Sequence, residues 1–213
     1  MEGTFKFFEC FAIIRLTGRR ASDILEFLEI LKQISPEAIF HHMHQYFLKP
    51  HIIPPEFPND FAVWADETLG ERNLAEALAN VNPFEFASIE DLRAELVRII
   101  AEHLKRYPPP RPALPGREFL FNEAVTIVLP TGIEAASLHD FIRALKEVDS
   151  TSIYFHFYEA RLRLGRAQDD ISRFLDACLD CPGLASRIKS LDPYMYSTEV
   201  LRNKIIKIVE EAL

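Results

Sequence analysis

Cysteine is scarce in this chain, three in 213 residues, and that excludes the disulfide framework of a small secreted protein. No apolar run approaches the roughly 18 to 20 residues of a membrane span. The opening MEGTFKFFECF carries acidic residues and no small-residue cleavage site, so a cytoplasmic protein is expected. Positive charge is also short, with 24 Lys and Arg against 32 Asp and Glu for a net charge of −8. No run of Lys or Arg forms a one-sided stripe, which removes nucleic acid and anionic membrane surfaces from the candidate partners. The strings GxGxxG, GxxxxGKS and GxSxG are missing. Neither a phosphate-cradling loop nor a nucleophile elbow is therefore supported, and no cofactor is expected.

What the sequence does contain is itself, twice. At a constant offset (119 minus 5, or 114 positions), Phe5, Phe7, Glu9, Ile13, Thr17, Gly18, Phe27, Leu31, Ile39 and His42 meet identical residues, from Phe119 and Phe121 through Thr131 and Gly132 to His156. After an extra stretch in the first copy within Lys49 to Asn59, the match resumes with Asp60, Asp66, Leu74 and Pro83 against Asp170, Asp176, Leu184 and Pro193. The copies occupy 1–104 and 119–213 and are joined by the proline-rich run 105–118, a semi-rigid spacer. A period near one hundred residues is too long for a solenoid repeat. Two small domains packed about an approximate two-fold axis are expected, like a homodimer fused into one chain.

Within one copy the reading is mainly α, with room for one short strand. In the opening EFLFNEAVTIVLPTG, Phe119, Phe121 and the run VTIVL favour a strand, whereas TFKFFECFAIIRLTG could equally be a buried helix, and Gly18 and Gly132 are expected to end them. Ile24, Leu25, Leu28, Leu31 and Ile34 follow helical spacing. Ser35, Pro36 and Glu37 supply an N-cap, a first-turn proline and a first-turn acid, a strong helix start. Asn59 or Asp60 opens a further helix, Leu74 to Val81 a short one, and Ser88 with Asp91 a capping box for the last.

Few residues offer chemistry. His41, His42 and His44 share one helix, but the second copy has Phe155 and Tyr158 in place of His41 and His44, which reads as packing and not as a metal site. His42 and His156 are present in both copies, and a core histidine hydrogen-bonded to a carboxylate such as Glu9 or Glu123 is the leading account. Cys178 and Cys181 form a CxxC in the second copy alone, near a helix end and followed by Pro182 and Gly183, without the partners of a zinc knuckle. The HD dipeptide His139-Asp140 has no counterpart in the first copy and is read as coincidence.

The stretches SIYFHFYEARLRL (Ser152 to Leu164), NDFAVWA (Asn59 to Ala65) and LAEALANVNPFEF (Leu74 to Phe86) resemble a prokaryotic family, domain of unknown function fifty-seven fifty-two, over most of both copies. The resemblance implies no activity. It implies that the His-bearing helix and the NDFAxWA helix belong to one unit. The second copy holds His156, Arg161 and Arg163 but reads DDISRFL where the first reads NDFAVWA; the first holds His42, Asn59, Asp60 and Trp64 but has Phe47 where Arg161 stands. Together these seven make a candidate ligand site at a domain interface, with the arginines as anion-binding forks and Trp64 as a stacking wall. Arg161 is otherwise expected to pair with Glu9, Glu123, Asp169 or Asp170. The reading is a non-catalytic binding or regulatory module for a protein partner or a small anionic molecule. The alternative is a metal-dependent or acid/base enzyme using His42 or His156 with Glu9 or Glu123.

Overall fold

A computed structural model describes residues 3–44, 56–160, 169–191 and 196–213. Its main departure from expectation is the opening segment of each half. Strands β1 (Phe5–Ala21) and β2 (Phe119–Ala135) are each 17 residues long and pair into a two-stranded antiparallel sheet. This overturns the expected mainly α molecule of helical domains with at most one short strand in each copy: the fold mixes α and β. The physical reason lies in burial. Each strand is buried at its ends and exposed through its middle, so the period-2 signature of a half-buried strand is missing over most of its length.

Two compact units form, and neither is a sequence copy. The first joins Met1–Ala12 to Thr126–Leu213, and the second is Ile13–Val125. Each therefore takes one half of β1 and one half of β2.

The second unit carries α1 (Ile24–Leu31), α2 (Pro36–His44), α3 (Asp60–Glu67), α4 (Arg72–Ala79), a 3-10 turn (Pro83–Glu85) and α5 (Ile89–Arg106). Their starts are local chemistry. The Asp23 carboxylate accepts the Leu25 and Glu26 N–H groups, Asn59 accepts that of Ala62, and Ser88 accepts that of Asp91, each stabilising its helix by about 1 kcal/mol. Leu92, Leu96 and Ile100, one turn apart on α5, are fully buried against the other helices. The core closes on an aromatic cluster in which Phe119 and Phe121 of β2 pack on Phe27, with ring centroids 5.1 and 5.2 Å away.

The first unit carries α6 (Leu138–Glu147), α7 (Ser150–Ile153) running into a π-helix (Tyr154–Glu159), then α8 (Asp170–Ala177), α9 (Pro182–Lys189) and α10 (Thr198–Glu210). Ser137, Asp149, Asp169 and Ser197 cap four of these. Here Phe5 and Phe7 of β1 enter the core, with Phe141 5.5 and 5.6 Å from their rings and Phe174 5.1 Å from Phe5. Burying each such phenylalanine stabilises its unit by about 2 to 3 kcal/mol.

Gly18 and Gly132 do not end the strands. Each holds a left-handed conformation, φ 74° and 77°, while the preceding threonine fills the gap in the ladder. Thr17 Oγ1 accepts the Arg19 N–H, and Thr131 Oγ1 accepts the Ile133 N–H and donates to the Phe7 carbonyl. They are kinks within the strands. Nothing lies within 4 Å of a Cβ built on Gly132, so Gly132→Ala should cost about 1 kcal/mol through backbone strain alone. Gly183, in α9, has equally open surroundings but no positive φ, and Gly183→Ala should stabilise by about 0.5 to 1 kcal/mol. Urea midpoints of the two variants, moving in opposite directions, check both.

Candidate functional site

The strand halves that enter each core are held by a histidine. In the first unit the Phe8 N–H donates to His156 Nε2 at 2.9 Å, and His156 Nδ1 meets Asp170 Oδ2 at 2.9 Å. In the second unit the Asn122 N–H donates to His42 Nε2 at 2.9 Å, and His42 Nδ1 meets Asp60 Oδ2 at 2.8 Å. An Nε2 that accepts an amide proton carries none itself. The proton therefore sits on Nδ1 and is donated to the carboxylate, which fixes the tautomer of the neutral ring. Both rings are buried among aromatics: His156 lies 4.7 Å from the Phe5 ring and His42 4.7 Å from the Phe119 ring.

Against the strand side of the first unit lies an open groove of about 710 Å³. Phe5, Phe8, Phe155 and Phe174 form its apolar wall, and Lys6, Arg173 and Asp170 are its charged groups. The Asp170 carboxylate is already occupied by His156. Lys6 lies 3.5 Å from Glu134, both side chains at least half exposed, a pair worth little in water. Arg173, exposed on α8, has no ion pair among the described residues.

A smaller polar recess of about 340 Å³ belongs to the second unit, lined by Arg15, Leu16, Thr17, Arg19, Gln33 and Ser35 beside Glu123. The Glu123 carboxyl is held below its ordinary range by the Ser35 hydroxyl, which donates to it at 2.7 Å, and by the Arg15 guanidinium.

Each expected site residue now has a place. The carboxylate partners of His42 and His156 are Asp60 and Asp170, not Glu9 and Glu123; Glu123 is engaged by Arg15 and Ser35 instead. Asn59 caps α3 and donates its amide to the Leu78 carbonyl at 3.1 Å. Trp64 is buried, stacked on Phe27 at 5.1 Å, and its indole N–H donates to the Arg117 carbonyl at 3.0 Å, so it closes a core. His42, Asn59, Asp60 and Trp64 all belong to the second unit and His156 to the first. Arg161 and Arg163, with most of the loop 49–59, lie outside the described residues. His44 is buried, its Nδ1 meets the Phe40 carbonyl at 3.0 Å, and burial lowers its pKa to about 3; among the described residues no three His, Cys, Asp or Glu side chains are grouped to hold a metal. The Cys10 thiol is pushed up to about 12 by burial and by Glu159, the opposite of an activated nucleophile. Cys178 ends α8 and Cys181 precedes α9. Sequence reasoning missed the groove residues Lys6, Phe8 and Arg173. It also missed the Asp partners, although Asp60 and Asp170 recur in both copies alongside the two histidines.

Removing one clamp tests its worth. His156→Ala removes the acceptor of the Phe8 N–H and one partner of the Asp170 carboxylate and should cost about 3 kcal/mol, whereas His139→Ala, at an exposed position, should stay within about 0.5 kcal/mol. Chemical denaturation of the two alanine variants measures both.

A family model described as a family of unknown function (DUF5752) matches residues 2–210. The chain is similar to the solved structure of OrfY from Thermoproteus tenax at 30% identity and a TM-score of 0.84, over 99% of this chain and 96% of that one. No curated protein matches it.

Proposed function

The chain belongs to this family of unknown function (DUF5752), and we propose that it is a non-catalytic binding module whose ligand is a small anion with an apolar body, held in the groove of the first unit. The observation that carries the reading is the lining itself: four phenylalanines, one carboxylate already taken, and two exposed cations on Lys6 and Arg173. A volume near 710 Å³ falls in the roughly 300 to 1,000 Å³ range of ligand pockets, and such sites are mostly apolar with a few placed polar groups. An aromatic wall gives a flat ligand its area, and Arg173 gives it a bidentate partner for phosphate or carboxylate.

The rival acid/base enzyme needs a histidine with a ring nitrogen open to substrate. His42 and His156 each spend Nε2 on a backbone amide and Nδ1 on an aspartate, which favours a structural use. The same reading takes the chain as two tandem copies of one unit, supported by the recurrence of His42 with Asp60 and of His156 with Asp170. It places the protein in the cytoplasm, in keeping with its few cysteines and acidic charge. No helix among the described residues is long and apolar enough to cross a membrane.

The test uses phenyl phosphate, with inorganic phosphate and benzyl alcohol as its separate halves. Phenyl phosphate should raise the melting temperature, reaching about 2.7 kcal/mol of stabilisation at a hundredfold excess over Kd, and neither half alone should match it. Arg173→Ala should melt like the parent without ligand and bind at least tenfold more weakly. Equal binding by Arg173→Ala, or no response to phenyl phosphate, contradicts the proposal.

A further inference from the structure

The second unit holds a feature that the groove does not use: a bare strand edge. Among the described residues β1 has one neighbour, in a two-stranded sheet, and no strand lies along its other edge over the stretch that belongs to this unit. Alternate residues of an antiparallel strand turn their N–H and C=O groups to the same side. The Phe8 amide leaves the sheet for His156, and in step with it Ile14 and Leu16 direct their backbone groups outward. Among the described residues no hydrogen bond to the backbone of Ile14 or Leu16 is made from that side. Their side chains are exposed too, with Ile13 at 54%, Ile14 at 55% and Leu16 at 74% of full accessibility. No proline interrupts β1, whereas β2 carries Pro130, the usual guard of an edge.

Charge selects the occupant. Arg19 and Arg20 are exposed and without ion pairs among the described residues. The recess lined by Arg19, Gln33 and Ser35 opens beside Leu16. Arg15, by contrast, is already neutralised by Glu123. A second copy of this chain would bring another Arg19 and Arg20 to the same edge. We propose that β1, over Ile13 to Arg20, takes up an extended segment of a partner protein in which acidic and apolar residues alternate. The added strand pairs with the backbone of Ile14 and Leu16, its apolar side chains cover Ile14 and Leu16, and a carboxylate enters the recess at Arg19. Strand addition draws affinity from main-chain bonds and selectivity from the alternate side chains.

The probe is a labelled, capped octapeptide of four Asp-Val repeats, with four Lys-Val repeats as its counterpart, read by fluorescence anisotropy on the full chain at low salt. The acidic peptide should bind and the basic one should not. Leu16→Pro, which removes an outward N–H without touching the β1–β2 ladder, should weaken binding at least tenfold with an unchanged melting temperature. The double change Arg19→Glu with Arg20→Glu should weaken it at least tenfold and should admit the basic peptide. The proposal is overturned if the acidic peptide does not bind. It is equally overturned if the acidic peptide binds Leu16→Pro as well as the parent, which reduces the contact to bare charge. A parent that sediments as a dimer and a Leu16→Pro variant that sediments as a monomer would give the edge to a second copy and overturn it as well.

Discussion

A backbone amide of a strand donated to a buried histidine, with an aspartate behind the ring, is the constraint on which the rest of this structure depends. It settles three things together. The ring is held neutral in one tautomer, the aspartate is kept from being an unpaired charge, and the strand is fixed in depth so that its phenylalanines reach the core. The hydrogen bond alone contributes about 1 kcal/mol, but breaking it leaves the strand amide without its acceptor and loosens aromatic rings worth several kcal/mol between them. The bond spans 148 residues for Phe8 and His156 and 80 for Asn122 and His42. Each unit is therefore completed only by chain from far along the sequence, a non-local closure that folds slowly.

Function follows from what the clamps leave over. Because His156 is occupied, the wall beside it is aromatic and inert, and the groove is governed by the cations at its rim, Lys6 and Arg173. Because one half of each strand is gripped in a core, the other half presents an edge. In β2 that half contains Pro130, while in β1 it contains Ile14 and Leu16 with free backbone groups. The proposed site for a small anion and the proposed edge for an acidic strand would together give a binding module both a ligand and a partner.

Much of the local structure was legible in the sequence because its causes are local. Ser35-Pro36-Glu37 opens α2, Asn59 opens α3 and Ser88 opens α5, since a cap needs only the next three residues. The strand of the second half was favoured by Phe119, Phe121 and the run VTIVL, but that of the first half was not legible, because its exposed middle carries Phe11, Ile13, Ile14 and Leu16 on both faces and so mimics a buried run. The histidines were rightly paired with carboxylates but with the wrong ones. Glu9 and Glu123 recur in both halves, and so do Asp60 and Asp170; nothing in spacing ranks a strand glutamate below a helix aspartate 18 or 14 residues away. Trp64 read as a ligand wall because a lone tryptophan in a distinctive motif invites it, yet its indole serves the core. Arg173 gave no signal, being one arginine on the polar face of an amphipathic helix.

Amide hydrogen exchange in the unmodified protein tests the clamp most directly. Phe8, Asn122, Ile14 and Leu16 all direct their N–H groups away from the β1–β2 ladder, and only the first two meet a histidine. The account predicts that the Phe8 and Asn122 amides exchange as slowly as that of Ile100 in the core of α5, opening only with global unfolding, while those of Ile14 and Leu16 exchange at nearly unprotected rates. Phe8 and Asn122 amides exchanging as fast as Leu16 would contradict it.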